Sequence, residues 1–276
     1  MLPAKKMTWS SAFIYFFLVL GALVVVYPFF YMVMNSFKFG PEILHSPTRL
    51  PTRITLSGYL GVFEELNMLL LYRNSLIIAV SITLLNTALS ALAAYAIAKI
   101  PFPGRDKLFG FMLATMMIPG VLFLIPTYVI MYRLGWVGQF HALIIPAAVS
   151  VYNIFLIRQF IIGIPNELIE AARLDGANDL MIFIRMILPL SRPVLVAVAI
   201  LSFIGSWNDF IGPLLYLNTP DKWTVQLGLY QFQTSIPGEN AQEIWASMTL
   251  ITLPLVIIYF LLQDQFVKAF ANVSLK

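Results

Sequence analysis

Residues 165–189 read P-N-E-L-I-E-A-A-R-L-D-G-A-N-D-L-M-I-F-I-R-M-I-L-P, a charged island between two long apolar runs. These residue types suit docking rather than bond-making chemistry. Pro165 fits a first helical turn, where its missing N–H costs nothing. Glu167 and Glu170 sit near the positive end of that helix. Leu168, Ala171, Ala172 and Leu174 recur at helical spacing and make a narrow apolar stripe. The two alanines keep the surface shallow, so a second protein can approach closely. Asp175 and Gly176 stop the helix ahead of Ala177, and glycine is free to take a left-handed C-terminal position. Asn178 or Asp179 then caps a second helix over 180–188. Pro189 and Pro193 mark the start of the next apolar run. The expectation is a helix–turn–helix along the inner membrane face with its corner at Gly176. Helical, charge-balanced structure in a connecting segment of so apolar a chain points to a soluble partner. An ordinary interfacial helix pair is the alternative that these residues leave open.

Other chemistries lack their residues. No G-x-x-x-x-G-K-[ST] loop occurs, so the chain is not expected to hydrolyse ATP. The histidines are His45 and His141, no H-E-x-x-H occurs and there is no cysteine, so no metal site and no cofactor of the chain's own is expected. The absence of G-x-S-x-G disfavours a serine hydrolase.

The elements that must position the island are membrane helices. The 276 residues are 60% hydrophobic and 11% charged. A soluble domain carries about a quarter charged residues, so too little polar surface exists here to cover a globule. A span needs about 20 apolar residues. Six stretches qualify, at about 12–34, 75–98, 108–131, 143–162, 194–217 and 246–263. The first follows Lys5 and Lys6 but is far longer than a signal peptide's apolar core, so it reads as a retained helix. With the N-terminus inside, the inner set of Lys and Arg has eleven members and the outer set six, which favours both termini in the cytoplasm. The island then faces inward. The first outer segment, about 36–72, holds Pro41, Pro47 and Pro51 and reads as an irregular cap, with a short helix at Glu64 and Glu65. The expected fold is one all-α membrane domain over 1–276 with six transmembrane helices.

Polar residues within spans are candidates for a translocation cavity: Asn86, Tyr152, Asn153, Trp207, Asn208 and Asp209. Asp209 lies about fifteen residues into the fifth span, roughly 22 Å along a continuous helix. An acid at that depth is costly and by default a functional candidate. It can also be structural, facing a neighbouring subunit or the outer headgroups. Asn86 and Asn153 suit helix–helix hydrogen bonds equally well. Trp207 and Tyr152 can form an apolar sugar-stacking wall or ordinary packing.

The spacing Glu170-Ala171-Ala172, Gly176, Leu188-Pro189 resembles the E-A-A…G…L-P loop of type I ABC-importer permeases. Phe155-Leu156-Ile157-Arg158-Gln159-Phe160, Ser206-Trp207-Asn208-Asp209-Phe210 and residues 263–266 extend the resemblance to the maltose-type carbohydrate importers, specifically to the shorter of their two permease subunits. The likeness covers nearly the whole chain. Met186 departs from the β-branched residue usual three before the proline, a swap of similar volume. The tail at 270–276 departs from the Gly-rich end of many relatives, the segment that in the family's shorter subunit can reach toward the ATPase pair.

The resemblance implies a type I (MetI-like) permease fold with a cytoplasmic coupling loop at 164–189. It implies ATPase coupling through Glu167, Glu170, Ala171, Ala172, Asp175, Gly176, Ala177 and Pro189. It also implies that the outer loop at about 218–243 meets an external solute-binding protein, through Gln226, Gln231, Gln233 and Thr234. The implied partners are a second permease, two copies of a cytoplasmic ATPase that binds the ATP and Mg, and the solute-binding protein, at a prokaryotic cell membrane. The cargo it implies is a sugar or oligosaccharide. A glycerol phosphate ester or a polyamine is the alternative cargo, and a secondary transporter the alternative class. A secondary transporter needs ionisable coupling groups at mid-membrane, for which Asp209 is the one candidate.

Overall fold

The computed structural model describes residues 9–235 and 241–271. Lys5, Lys6, Pro237, Gly238 and the tail at 272–276 lie outside them. Every regular element among the described residues is helical. In chain order they are α1 (Trp9–Ser36), α2 (Gly40–His45), α3 (Ser57–Glu65), α4 (Met68–Lys99), α5 (Arg105–Thr115), α6 (Leu124–Arg133), α7 (His141–Ile144) and α8 (Val151–Ile162). Then follow α9 (Asn166–Leu174), α10 (Asp179–Ile182), α11 (Leu188–Leu190), α12 (Arg192–Trp207), α13 (Ile211–Tyr216), α14 (Val225–Ser235) and α15 (Ala241–Ala271). Four helical stretches are long and apolar enough to cross a bilayer, and six if each of two bent helix pairs counts as one span. The six predicted spans map onto these.

Their bounds differ from the sequence expectation for local reasons. The second span begins at Met68 rather than 75, because Arg73 and Asn74 continue the helix instead of ending it. The third is not continuous: Arg105–Thr115 and Gly120–Arg133 meet at 92°. Pro119 precedes this second arm, where its missing N–H and the restraint on its predecessor break the ladder. The fourth is interrupted at Pro146 and restarts at Ser150, whose Oγ accepts the Asn153 N–H at 3.4 Å. The fifth ends at Trp207, and its 16 helical residues rise about 24 Å. In the outer segment, the expected irregular cap is partly helical, with Pro41 in the first turn of α2 and Glu64–Glu65 closing α3.

The chain divides into two compact units. Of the described residues, the first comprises 9–67, 231–235 and 241–254. In it Tyr31 on α1 meets Trp245 edge-on at 5.4 Å. Gly58 lets α3 approach α15 closely, since a Cβ there would lie 2.6 Å from the Gln242 carbonyl oxygen. Lys38 is fully buried and donates from Nζ to the carbonyls of Ser46 (3.1 Å) and Pro47 (2.8 Å). Burial pushes its ammonium pKa below the usual lysine range, partly opposed by the Glu42 charge. The fragment 13–30 of α1 is apolar on every side and exposed, as a helix bathed in lipid or covered by another chain must be.

The second unit comprises, of the described residues, 68–230 and 255–271. Its main core joins α4 (Ala91, Ala94, Tyr95), α8 (Ile154, Ile157, Ile161) and α12 (Val194, Val198). The small residues of α4 allow close approach, which is how helices associate where lipid is as apolar as leucine. A polar hub crosses the same three helices. The Asn153 amide donates to Asn86 Oδ1 at 2.6 Å and lies 3.0 Å from Ser202 Oγ. The Asn86 amide donates to the Ala147 carbonyl at 2.8 Å, and Ser90 Oγ donates to Asn86 Oδ1 at 3.3 Å. Replacing Asn153 by Leu leaves the Asn86 oxygen short of its best donor in an apolar place. The substitution is expected to cost about 1 kcal/mol, read as a lower melting temperature of the purified protein by circular dichroism.

Candidate functional site

The island folds as a helical hairpin off the core. α9 starts after Pro165, which serves as its N-cap rather than in its first turn, and carries Glu167 there. It ends in a closed C-terminal motif: the Ala177 N–H donates to the Ala172 carbonyl and the Gly176 N–H to the Arg173 carbonyl, both at 3.0 Å. Gly176 stands at φ +84°, the left-handed conformation that its place after Asp175 implies. Asn178 caps the return stretch by accepting the Met181 N–H at 2.8 Å. Arg173 and Asp179 close the mouth of the hairpin with an ion pair at 2.9 Å. The hydrogen bond and charge of Asp179 push the Arg173 pKa up.

The return stretch is not the single α-helix expected over 180–188. It runs as α10, a π-helical turn at Phe183–Ile187, and α11. The segment Asp179–Leu190 then meets α12 at 80°, at Ser191 between Pro189 and Pro193. Each proline lacks the N–H that would carry the helix straight through.

Which face of α9 is buried corrects the predicted stripe. Ile169, 4% exposed, is the residue that enters the core, with Ala172 and Ala177 packed against it. Leu168, Ala171 and Leu174, spaced at three residues, form an exposed ridge instead, and Leu174 is 90% exposed. Glu167 and Glu170 are also exposed. The base of α9 is held by one of the inner-side basic residues. Lys99, the last residue of α4, donates from Nζ to the Ile164 carbonyl (2.6 Å) and to Asn166 Oδ1 (2.7 Å). A lysine ending a long helix beside the turn at Pro101 was the available signal.

The span candidates do not gather at one opening. Asn86 and Asn153 are buried in the hub. Trp207 is buried, stacked on Phe203 at 5.8 Å and Tyr72 at 6.2 Å. Tyr152 and Asn208 are exposed. Asp209 follows the end of α12, so the depth along a continuous helix does not apply to it. Its Oδ1 accepts the Gly212 N–H at 3.1 Å and caps the first turn of α13.

The outer candidates lie on α14, a helix rather than an open loop. Gln226 and Gln231 are half-buried and Thr234 is exposed. Gln233 donates from Nε2 to Ser247 Oγ at 3.0 Å. The segment before α14 is pinned to the start of α4. The Asn74 amide donates to the carbonyls of Asp221 (2.9 Å) and Trp223 (3.0 Å), and Ser75 Oγ accepts the Val225 N–H at 2.8 Å. No group of metal-ligating side chains occurs among the described residues.

Broken apolar helices around a polar hub, with a folded helical hairpin projecting from the core, define a multi-span membrane permease. The profile of the family described as "Binding-protein-dependent transport system inner membrane component" matches residues 86–272, and the chain belongs to that family. The arabinooligosaccharides transport system permease protein of Halalkalibacterium halodurans is 32% identical over 250 residues, 89% of each chain. The trehalose/maltose transport system permease protein of Thermococcus litoralis is 33% identical over 263 residues, 94% of each chain. Among solved structures, a bacterial ABC transporter involved in the import of the acidic polysaccharide alginate has a chain that superposes with a TM-score of 0.82 at 25% identity, covering 95% of this chain and 99% of that one. The type I permease fold expected from the resemblance is therefore shown.

The corner glycine carries a clean expectation. No atom lies within 4 Å of a Cβ built on Gly176, so only the backbone opposes a side chain there. Gly176→Ala is expected to destabilise the hairpin by about 1–2 kcal/mol, and Gly176→Asn by less. Hydrogen exchange of the 166–178 amides should order the three proteins accordingly.

Proposed function

We propose that this chain is the shorter of two permease subunits of an ATP-driven importer that carries a sugar or oligosaccharide. An external solute-binding protein delivers the cargo, and two copies of a cytoplasmic ATPase, which bind the ATP and Mg, power the cycle. The chain itself binds no cofactor. It spans a prokaryotic cell membrane with both termini in the cytoplasm. Relatives named for arabinooligosaccharides and for trehalose and maltose support the cargo class, as does the scarcity of charge among the exposed span candidates.

The observation that carries the reading is the ridge of α9. Leu168, Ala171 and Leu174 are apolar, exposed and mounted on a helix too short to be stable alone. Ile169 and the Lys99 clamp fix that helix to the core, so a push on the ridge reaches α4 and α8 without being absorbed by a loose joint. The ATPases would grip this ridge, and their closure on ATP would move 167–177 as one body. Tyr152 and Asn208 remain the exposed candidates for the pathway, and Gln226, Gln231, Gln233 and Thr234 for the contact with the binding protein.

Affinity purification of the tagged chain from its native membrane tests the reading. Recovery of an ATPase, a second permease and a solute-binding protein is expected. Recovery of the chain alone, with transport into liposomes that needs no ATP, would overturn it in favour of a secondary transporter. Leu174→Glu should leave membrane insertion intact and lower ATP-dependent uptake at least about tenfold, the cost of burying an unpaired charge in a partner's groove.

A further inference from the structure

The turn between α4 and α5 lies apart from the coupling hairpin and the polar hub. Pro101, Phe102, Gly104, Arg105, Asp106 and Lys107 line an open cleft of about 370 Å³ there. Gly104 stands at φ +85° and reverses the chain, so that Arg105 and Lys107 arrive directly at the start of α5. Arg158 joins from α8. Its guanidinium lies 3.9 Å above the Phe109 ring and Nη2 is 4.0 Å from Asp106 Oδ1. The Arg158 side chain is only 13% exposed, and its buried Nε has no acceptor. Asp106 also approaches Arg105 Nε at 3.5 Å, but its side chain is 80% exposed. Two cations, Arg105 and Arg158, therefore share one solvated carboxylate, and Lys107 lines the same cleft. Lys99 does not join them, being committed to Ile164 and Asn166.

Basic residues that flank a span are ordinary topology markers. This group differs in having a cleft with apolar walls at Pro101 and Phe102, and, beside its Asp106, a buried donor still open on Arg158. A clustered positive charge between apolar helices at the membrane surface suits a phosphate head group. We propose that the α4–α5 turn holds the phosphate of an anionic phospholipid, with Arg105 and Lys107 on its oxygens, Arg158 adding charge from α8, and Phe102 offering apolar surface to the glycerol. A free phosphate has the same chemistry at these cations, but the position at the end of a span favours a lipid.

Occupancy would bear on the hairpin. α4 ends in the Lys99 clamp on α9, and α8 leads from Arg158 into the base of α9. An anionic lipid braces both supports of that helix at once. The inference needs only a membrane-embedded chain and stands apart from the cargo or the identity of the partners.

The test is native mass spectrometry of the full chain, with whatever subunits copurify, incubated with phosphatidylglycerol, with phosphatidylcholine or with inorganic phosphate. Preferential retention of phosphatidylglycerol is expected. Arg105→Gln combined with Lys107→Gln should lower that retention roughly tenfold or more, at about 1 kcal/mol for each charge near the surface. Asp106→Asn should raise it. The exposed pair Arg49→Gln with Arg53→Gln should leave it unchanged. Equal retention of the two lipids, or a double variant that folds and retains phosphatidylglycerol as before, overturns the proposal. Displacement of the lipid preference by millimolar inorganic phosphate assigns the site to a free anion and overturns the lipid. If the double variant does not fold, Asp106→Asn decides alone: increased retention supports the site and unchanged retention overturns it.

Discussion

In a bilayer every backbone N–H and C=O must find its partner within the protein, because hydrocarbon offers none. That constraint makes this chain helical, and it also makes each interruption of a helix a place that needs specific residues. The interruption before α8 is closed by the Ser150 hydroxyl. The one after α12 is closed by the Asp209 carboxylate. The Asn86 amide takes up the Ala147 carbonyl, which the extended residues Val149 and Ser150 leave without a helical partner. Polar side chains that read as a pathway in the sequence thus serve, in large part, the ends of broken helices. An acid inside an apolar stretch is a functional candidate until a helix end is found beside it.

The same economy shapes the hairpin. One isoleucine, Ile169, seats α9 in the core, while its two alanines and Gly176 keep it slim and sharply ended. Its polar ends are closed by Asn178, by the Arg173–Asp179 pair and by the carbonyls of Ala172 and Arg173. A nine-residue helix has little stability of its own, so its rigidity comes from these ends and from Lys99. Nothing on its outer face is needed to hold it together, which leaves that face free for another molecule.

Much of this was legible before the structure. Six apolar runs, the corner at Gly176 and a cap at Asn178 or Asp179 follow from local chemistry, because hydropathy, left-handed glycines and Asx caps act within a few residues. What escaped the sequence depended on more distant neighbours. The stripe Leu168–Leu174 is apolar by pattern, yet only the core shows that Ile169 points inward and Leu174 outward. The 92° bend of the third span was signalled by Pro119 and Gly120, but a window of hydropathy averages over such breaks. The π-helical turn at Phe183–Ile187 has no evident local cause in its residues. The tie of Lys99 to Asn166 spans 67 positions, beyond any periodicity.

The nearly full exposure of Leu174 has a bearing on how such a chain survives in a cell. A leucine held outward on an ordered turn is a durable adhesive: it does not fold away while the chain waits. Copies synthesised in excess of whatever covers this ridge keep it on display, open to mispairing and to the quality-control proteases that read apolar surface. The hairpin's rigidity therefore sets a requirement on supply, since a stiff, pre-shaped contact tolerates unbalanced production poorly.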